Sequence, residues 1–316
     1  MLTRSRRYRS VIRHDRTSES MNDFWIALEQ RIGAVTGQPF AIRQRHPVGG
    51  GCIHQAWRVS DRDREYFVKL DGAASLPMFE TEATGLAELA ATATVRVPRP
   101  LGHGVAAGQA YLVLEYLPLG GSHAGAMERL GQQLAALHRQ PQACFGWRRD
   151  NFIGSTPQPN PRGADWIEFW RKSRLGFQLE LAVARGHRGA WLRRGEALRA
   201  RLDGLFAGYR PIPALLHGDL WGGNAGCTVT GEPVVFDPAV YYGDREADLA
   251  MTELFGGFSD RFYAAYRESL PLAAGYPRRR TLYNLYHVLN HLNLFGGGYR
   301  AQAERMIGQL LAELNG

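Results

Sequence analysis

The chain has 316 residues, of which 45% are hydrophobic, with a formal net charge of +8 and three cysteines. That length buries a substantial core in one large domain or two lobes, and no apolar run is long enough to cross a bilayer. Cys52, Cys144 and Cys227 are odd in number, scattered and outside any CxxC pair. A disulfide framework or structural zinc site is thereby disfavoured, and a reducing cytoplasm fits best.

The first twenty residues carry Arg4, Arg6, Arg7, Arg9, Arg13 and Arg16 against only Asp15 and Glu19, so about half of the charge excess sits ahead of Met21. Without periodic apolar residues, 1–20 is expected to be a disordered basic leader, or upstream sequence if translation begins at Met21; a targeting segment ranks below both. The rest is mildly basic, with no zinc-finger, RNP or basic-aromatic pattern, so neither a nucleic acid nor a membrane is an expected partner.

From Phe24 to Val35 the apolar residues fall at helical spacing. Next come the glycines Gly49, Gly50 and Gly51, then strand-like runs at Ala56–Val59 and Glu65–Leu70, a hairpin entered through a glycine loop. Met78–Leu89 reads as a helix, stopped before Pro98 and Pro100. Tyr111–Tyr116 is a buried strand by composition, broken by Pro118, Gly120 and Gly121. Beyond it, Leu130, Leu134 and Leu137 form an apolar stripe, and helical patterns recur at 165–185, 189–206, 246–270 and 278–314. Only the stretch from Leu215 to Phe236 has short strand-like pieces around a glycine-rich loop. The expected architecture is α+β and bilobal: a β-rich N-lobe over 21–117 and a mainly helical C-lobe over 118–316.

The strongest chemical signal is His217-Gly218-Asp219-Leu220-Trp221-Gly222-Gly223-Asn224, followed by Val234-Val235-Phe236-Asp237. Phosphoryl transfer needs a carboxylate beside the attacking hydroxyl and oxygen ligands for Mg²⁺ beside the phosphates. In kinases a catalytic-loop Asp is followed five residues on by a metal-binding Asn, with a second Asp further along. Asp219, Asn224 and Asp237 have that spacing, which makes Asp219 the candidate base and Asn224 and Asp237 the candidate metal ligands. A plain Asp-Gly-Asn turn explains HGD alone, but not the whole combination.

Gly49, Gly50 and Gly51 would let backbone N–H groups approach ATP phosphates. Lys69, in the strand Tyr66–Leu70, would bind phosphates, with a carboxylate partner early on the next helix; Glu82 is preferred over Glu80. Glu115 to Leu117 is the candidate hinge, offering backbone groups to adenine. Asp248 is expected to brace the catalytic loop by accepting backbone hydrogen bonds. Cys52, inside the glycine loop, is a redox candidate, because amides aimed at phosphates favour the thiolate. Gly218 stands where regulated protein kinases carry an Arg, and helix resumes by Glu246, leaving little chain for a peptide-positioning segment. The acceptor is therefore expected to be a small molecule or a small adduct.

These residues resemble the fructosamine/ketosamine-3-kinases, relatives of the aminoglycoside phosphotransferases with a protein-kinase-like fold. The likeness runs from about Asp23 onward and includes Gly50-Gly51-Cys52-Ile53, Phe79-Glu80-Thr81-Glu82, Phe145-Gly146-Trp147 and Asp150 through Gln158. It continues in Asp165-Trp166, the His217–Asn224 loop, Phe236-Asp237-Pro238-Ala239, Tyr242–Glu246 and Asn290–Gly296. It implies ATP- and Mg²⁺-dependent phosphorylation of the sugar 3-hydroxyl of ketosamines, free or on glycated protein amines, leading to deglycation. In that reading Trp221 stacks on the sugar and His291 lines the same pocket. His54 departs from the family, which usually has Asn there. An aminoglycoside- or choline-type phosphotransferase and a non-catalytic kinase-like binding protein are the alternatives.

Overall fold

The computed structural model describes residues 5–49, 54–121 and 123–315, with 5–20 as backbone; Gly50, Gly51 and Cys52 therefore lie outside the described residues. The chain divides into two compact units, Met1–Ala87 with Pro98–Leu117, and Glu88–Val97 with Pro118–Gly316.

The first unit begins with α1 (Ser5–Thr36). Phe24, Leu28 and Ile32, one helical face, are at most 1% exposed, each contributing about 1.5–3 kcal/mol by burial. The backbone is helical from Ser5. No Gly or Pro precedes Gly33, so a helix nucleated by the packed segment propagates toward the N-terminus at low cost.

Five antiparallel strands follow: β1 (Gln44–Val48), β2 (Gln55–Ser60), β3 (Glu65–Gly72), β4 (Pro100–Ala106) and β5 (Gln109–Glu115), in the order β1-β2-β3-β5-β4. Helix α2 (Leu76–Ala91) is inserted after β3. Tyr66, Val68 and Leu70 of β3 share a core with Phe24, Trp25, Leu28 and Ile32 of α1. Strand alternation sends Phe67 and Lys69 to the other face.

The second unit is mainly helical: α3 (Ala126–His138), the hairpin β6 (Asn151–Ile153) and β7 (Thr156–Gln158), then α4 (Trp166–Trp170). A π-helical stretch over Arg171–Gly176 leads into α5 (Phe177–Ala184) and α6 (Ala190–Ala200). Four short strands come next, β8 (Pro213–Leu216), β9 (Ala225–Cys227), β10 (Pro233–Val235) and β11 (Tyr241–Asp244). The chain ends in α7 (Glu246–Leu254), α8 (Asp260–Ser269), α9 (Tyr276–Phe295) and α10 (Arg300–Glu313).

Residues 88–97, expected in the N-lobe, belong to this second unit. Glu88 accepts hydrogen bonds from Trp147 Nε1 (2.9 Å) and Tyr242 OH (2.5 Å), and Arg96 bridges to Val234. The topology also sets the site. β8 pairs with β11 and β9 with β10, both antiparallel. The loop from β8 to β9 and the loop from β10 to β11 are thereby tied together at both ends.

Candidate active site

Asp219 lies on the first of those loops and Asp237 on the second. Asn224 joins them: its Nδ2 donates to Asp219 O (2.9 Å), Asp219 Oδ2 (3.2 Å) and Asp237 O (3.4 Å). Its Oδ1 is left out of these bonds. Asp237 has φ +57°, the left-handed region that costs a non-glycine residue energy and is found where surrounding structure holds it. Burial, then the charge of Asp237, pushes the Asp219 carboxyl up to about 7, against the opposing hydrogen bond from Asn224. The two carboxylates therefore repel each other across the paired loops.

The base loop is held from below by α7. Asp248 accepts the backbone N–H groups of His217 and Gly218, both at 2.8 Å, and pairs with His138 Nε2 at 3.2 Å. Burial alone would raise Asp248, but the hydrogen bond and charge of His138, followed by His217 and the Gly218 amide, hold it below the ordinary carboxylate range. The bracing expected from its position is what this geometry shows.

His217 is locked in one tautomer. Its Nε2 lies 3.0 Å from the Phe236 carbonyl, which can only accept, and its Nδ1 receives the Asp219 N–H at 3.3 Å. Both bonds form only if the ring is neutral with its proton on Nε2. Burial lowers the imidazole below its usual range, agreeing with that assignment. Gly218 has φ +82°, and a Cβ there would sit 2.1 Å from the Ala239 carbonyl oxygen, so glycine is required.

Trp221 is half-buried and its ring meets Phe255 edge-on at 6.2 Å. Phe255 packs on His291 at 5.0 Å, and His291 on Tyr299 and Phe295. The structure thus brings Trp221 and His291 into one aromatic wall, through a Phe255 that sequence reasoning missed. His291 Nδ1 donates to the His287 carbonyl (2.8 Å), leaving Nε2 as the ring's acceptor. A Cβ on Gly223 would lie 2.2 Å from the Trp221 ring, so this glycine lets the indole lie flat on the loop.

In the first unit, Lys69 Nζ donates to Glu82 Oε1 at 2.7 Å, with both side chains largely buried. Gly49 follows β1, and an added Cβ there would meet nothing within 4 Å. At the end of β5, the Glu115 N–H is taken by the Arg99 carbonyl (2.9 Å) and its Oε2 by the Arg99 N–H (3.1 Å). The Glu115 amide is thereby engaged within the unit, and Leu117 closes the unit two residues on.

The fructosamine kinase family model matches residues 24–313. The chain belongs to the fructosamine kinase family. It is an ATP-using phosphotransferase with a kinase-like fold. A probable ketoamine kinase of Synechocystis is 51% identical over 91% of this chain and 97% of that protein. The chloroplastic protein-ribulosamine 3-kinase of Oryza sativa subsp. japonica is 42% identical over 92% of this chain and 83% of its own. A crystal structure from Haemophilus somnus, provisionally described as a fructosamine-3-kinase, superposes with a TM-score of 0.83 at 30% identity, covering 90% and 96% of the two chains. The choline kinase LicA of Streptococcus pneumoniae, at 15% identity and TM-score 0.61, shares the fold alone.

Among the described residues of this kinase no group of three or more His, Cys, Asp or Glu side chains could hold a metal. Among the same residues no helix is long and apolar enough to cross a membrane.

Proposed function

We propose that this kinase transfers the γ-phosphoryl group of ATP to the 3-hydroxyl of a ketosamine, free or on a glycated protein amine. Asp219 receives the hydroxyl proton, the O3–P bond forms as the bond to ADP breaks, and ADP departs. Asp237 and Asn224 Oδ1 would hold Mg²⁺, which when bound would supply charge neutralisation at the phosphates. Lys69, oriented by Glu82, binds the phosphates, and Gly49 offers them its backbone. Trp221 and His291 line the sugar site. A phosphate at C3, beside the C2 carbonyl, is a good leaving group, so the product decomposes and frees the amine. The protein acts in the cytoplasm, with no nucleic acid or membrane as partner.

The observation that carries this reading is the Asn224 amide tied at once to Asp219 and Asp237. It ties the Asp219 carboxylate to the backbone of Asp237 beside the Asn224 oxygen. The test is a panel of ribulosamine, erythrulosamine, fructosamine, kanamycin and choline with ATP and Mg²⁺. Phosphorylation of the ketosamines alone, abolished by chelation of Mg²⁺, is expected. Turnover confined to kanamycin or choline overturns the substrate assignment.

A further inference from the structure

The segment after Asp237 carries no regular structure until β11 begins at Tyr241, yet hydrogen bonds hold it from two sides. On one side Ala239 N–H donates to the His217 carbonyl at 2.9 Å. On the other, two side-chain amides from the β6–β7 hairpin reach it. Gln158 Nε2 donates to the Ala239 carbonyl at 3.1 Å, and Asn151 Nδ2 to the Val240 carbonyl at 2.8 Å.

These amides are themselves fixed. Asn151 and Gln158 face each other in the hairpin register, and Gln158 Nε2 also donates to Asn151 Oδ1 at 2.8 Å. Tyr286 OH donates to Gln158 Oε1 at 2.8 Å, and a flipped Gln158 would set its oxygen against the Ala239 carbonyl and Asn151 Oδ1, losing both of those bonds. Asn160 Nδ2 donates to Asn151 Oδ1 at 2.7 Å, and Arg174 Nη2 to Asn160 Oδ1 at 2.7 Å. Asn151, Gln158, Asn160 and Arg174 are all at most 4% exposed. Arg174 stands on the π-helical stretch, with its guanidinium over Tyr241 (4.1 Å) and Phe169 (4.6 Å). Such π segments often mark functional sites. A desolvated amide network is costly unless fully partnered, and three-residue strands need little of it for stability. What the network holds is the loop that keeps Asp237 at positive φ.

We propose that Asn151 and Gln158 are positioning residues for the metal ligand Asp237, clamping its loop from the side opposite His217. This rests on the reading of Asp237 as a Mg²⁺ ligand. Outer-shell partners of metal ligands typically contribute 10–100-fold to metal affinity.

The test is calorimetric titration of ATP into full-length protein with and without Mg²⁺, alongside melting and ketosamine KM. In Gln158→Leu and Asn151→Leu the Mg²⁺-dependent gain in ATP affinity is expected to shrink roughly tenfold or more. Metal-free ATP affinity and ketosamine KM should stay as in wild type. Tyr286→Phe removes one hydroxyl and no bulk; if the two Leu variants do not fold, it reports the same signature at smaller amplitude. Full retention of the Mg²⁺-dependent gain in the folded variants overturns the clamp, as does an equal loss with and without metal. Asp237→Ala is the control. If it keeps the gain, the metal-ligand reading itself fails; if it loses the gain while the clamp variants do not, only the positioning role fails.

Discussion

Replacing Asp219 with Asn is expected to destroy turnover and yet make the resting protein harder to unfold. The carboxyl is held at about 7 instead of 3.8, first by burial and then by the charge of Asp237. A group whose folded-state value is raised leaves stability untouched below pH 3.8; the loss then grows with pH and is complete above about 7. At about 1.4 kcal/mol per pH unit the full cost is about 4 kcal/mol. Relaxation and water entry around a buried charge lessen it, so a net gain of about 2 kcal/mol at pH 8 is the expectation for the neutral amide. Asn still accepts the Asn224 hydrogen bond while removing the charge. With an unfolding entropy of about 2.1 cal/mol/K per residue, 1 kcal/mol is about 1.5 °C for a chain of 316 residues, so the variant should melt about 3 °C above wild type at pH 8. At pH 4 the two should coincide. The assay is differential scanning calorimetry from pH 4 to 8 without metal or nucleotide, paired with steady-state rates, which should fall roughly 10²–10⁴-fold. A pH-independent offset, or a variant melting at or below wild type at pH 8, would refute the claim that Asp219 is a strained, charge-repelled base.

The other expectations are more local. Gly218→Ala places a methyl 2.1 Å from the Ala239 carbonyl oxygen at positive φ, and should cost about 3 kcal/mol or more, read by urea unfolding. Trp221→Ala should raise ketosamine KM and leave the ATP KM alone; because the indole is only half-buried, a melting loss matching the roughly 3–5 kcal/mol of a core aromatic would instead make it structural. Glu82→Gln keeps the shape but removes the charge from the 2.7 Å partner of Lys69, and kcat is expected to drop roughly 10²-fold; a rate within twofold of wild type would show that Lys69 needs no such partner.

The site was legible where its chemistry is local in sequence. His217 to Asn224 is one short loop, and the five-residue step from Asp219 to Asn224 is the geometry that lets the Asn amide fold back onto the base. Lys69 was readable because alternating Tyr66, Val68 and Leu70 must face a core, which turns Lys69 the other way. The β6–β7 hairpin was not legible: its three-residue strands carry Asn, Pro and Gln, and side-chain amides hold them where periodicity would be sought. β1 hides for a related reason, since Gln44 to Pro47 are all exposed and show no alternation. The pattern over 246–270 is two helices, α7 and α8, parted at Gly256 and Gly257, both at positive φ. That break lets Phe255 reach the aromatic wall, a contact over thirty residues that no spacing rule announces.

The locked imidazole of His217 has a consequence for proton traffic through a full turnover. Its one N–H is spent on the Phe236 carbonyl, and its lone pair faces the Asp219 amide and not the Asp219 carboxylate. In the proposed reaction a proton taken up by Asp219 therefore has no path inward through the His217 ring. Its outlet is product oxygen or solvent, so reset of the proposed base is coupled to product departure and not to a relay through that histidine.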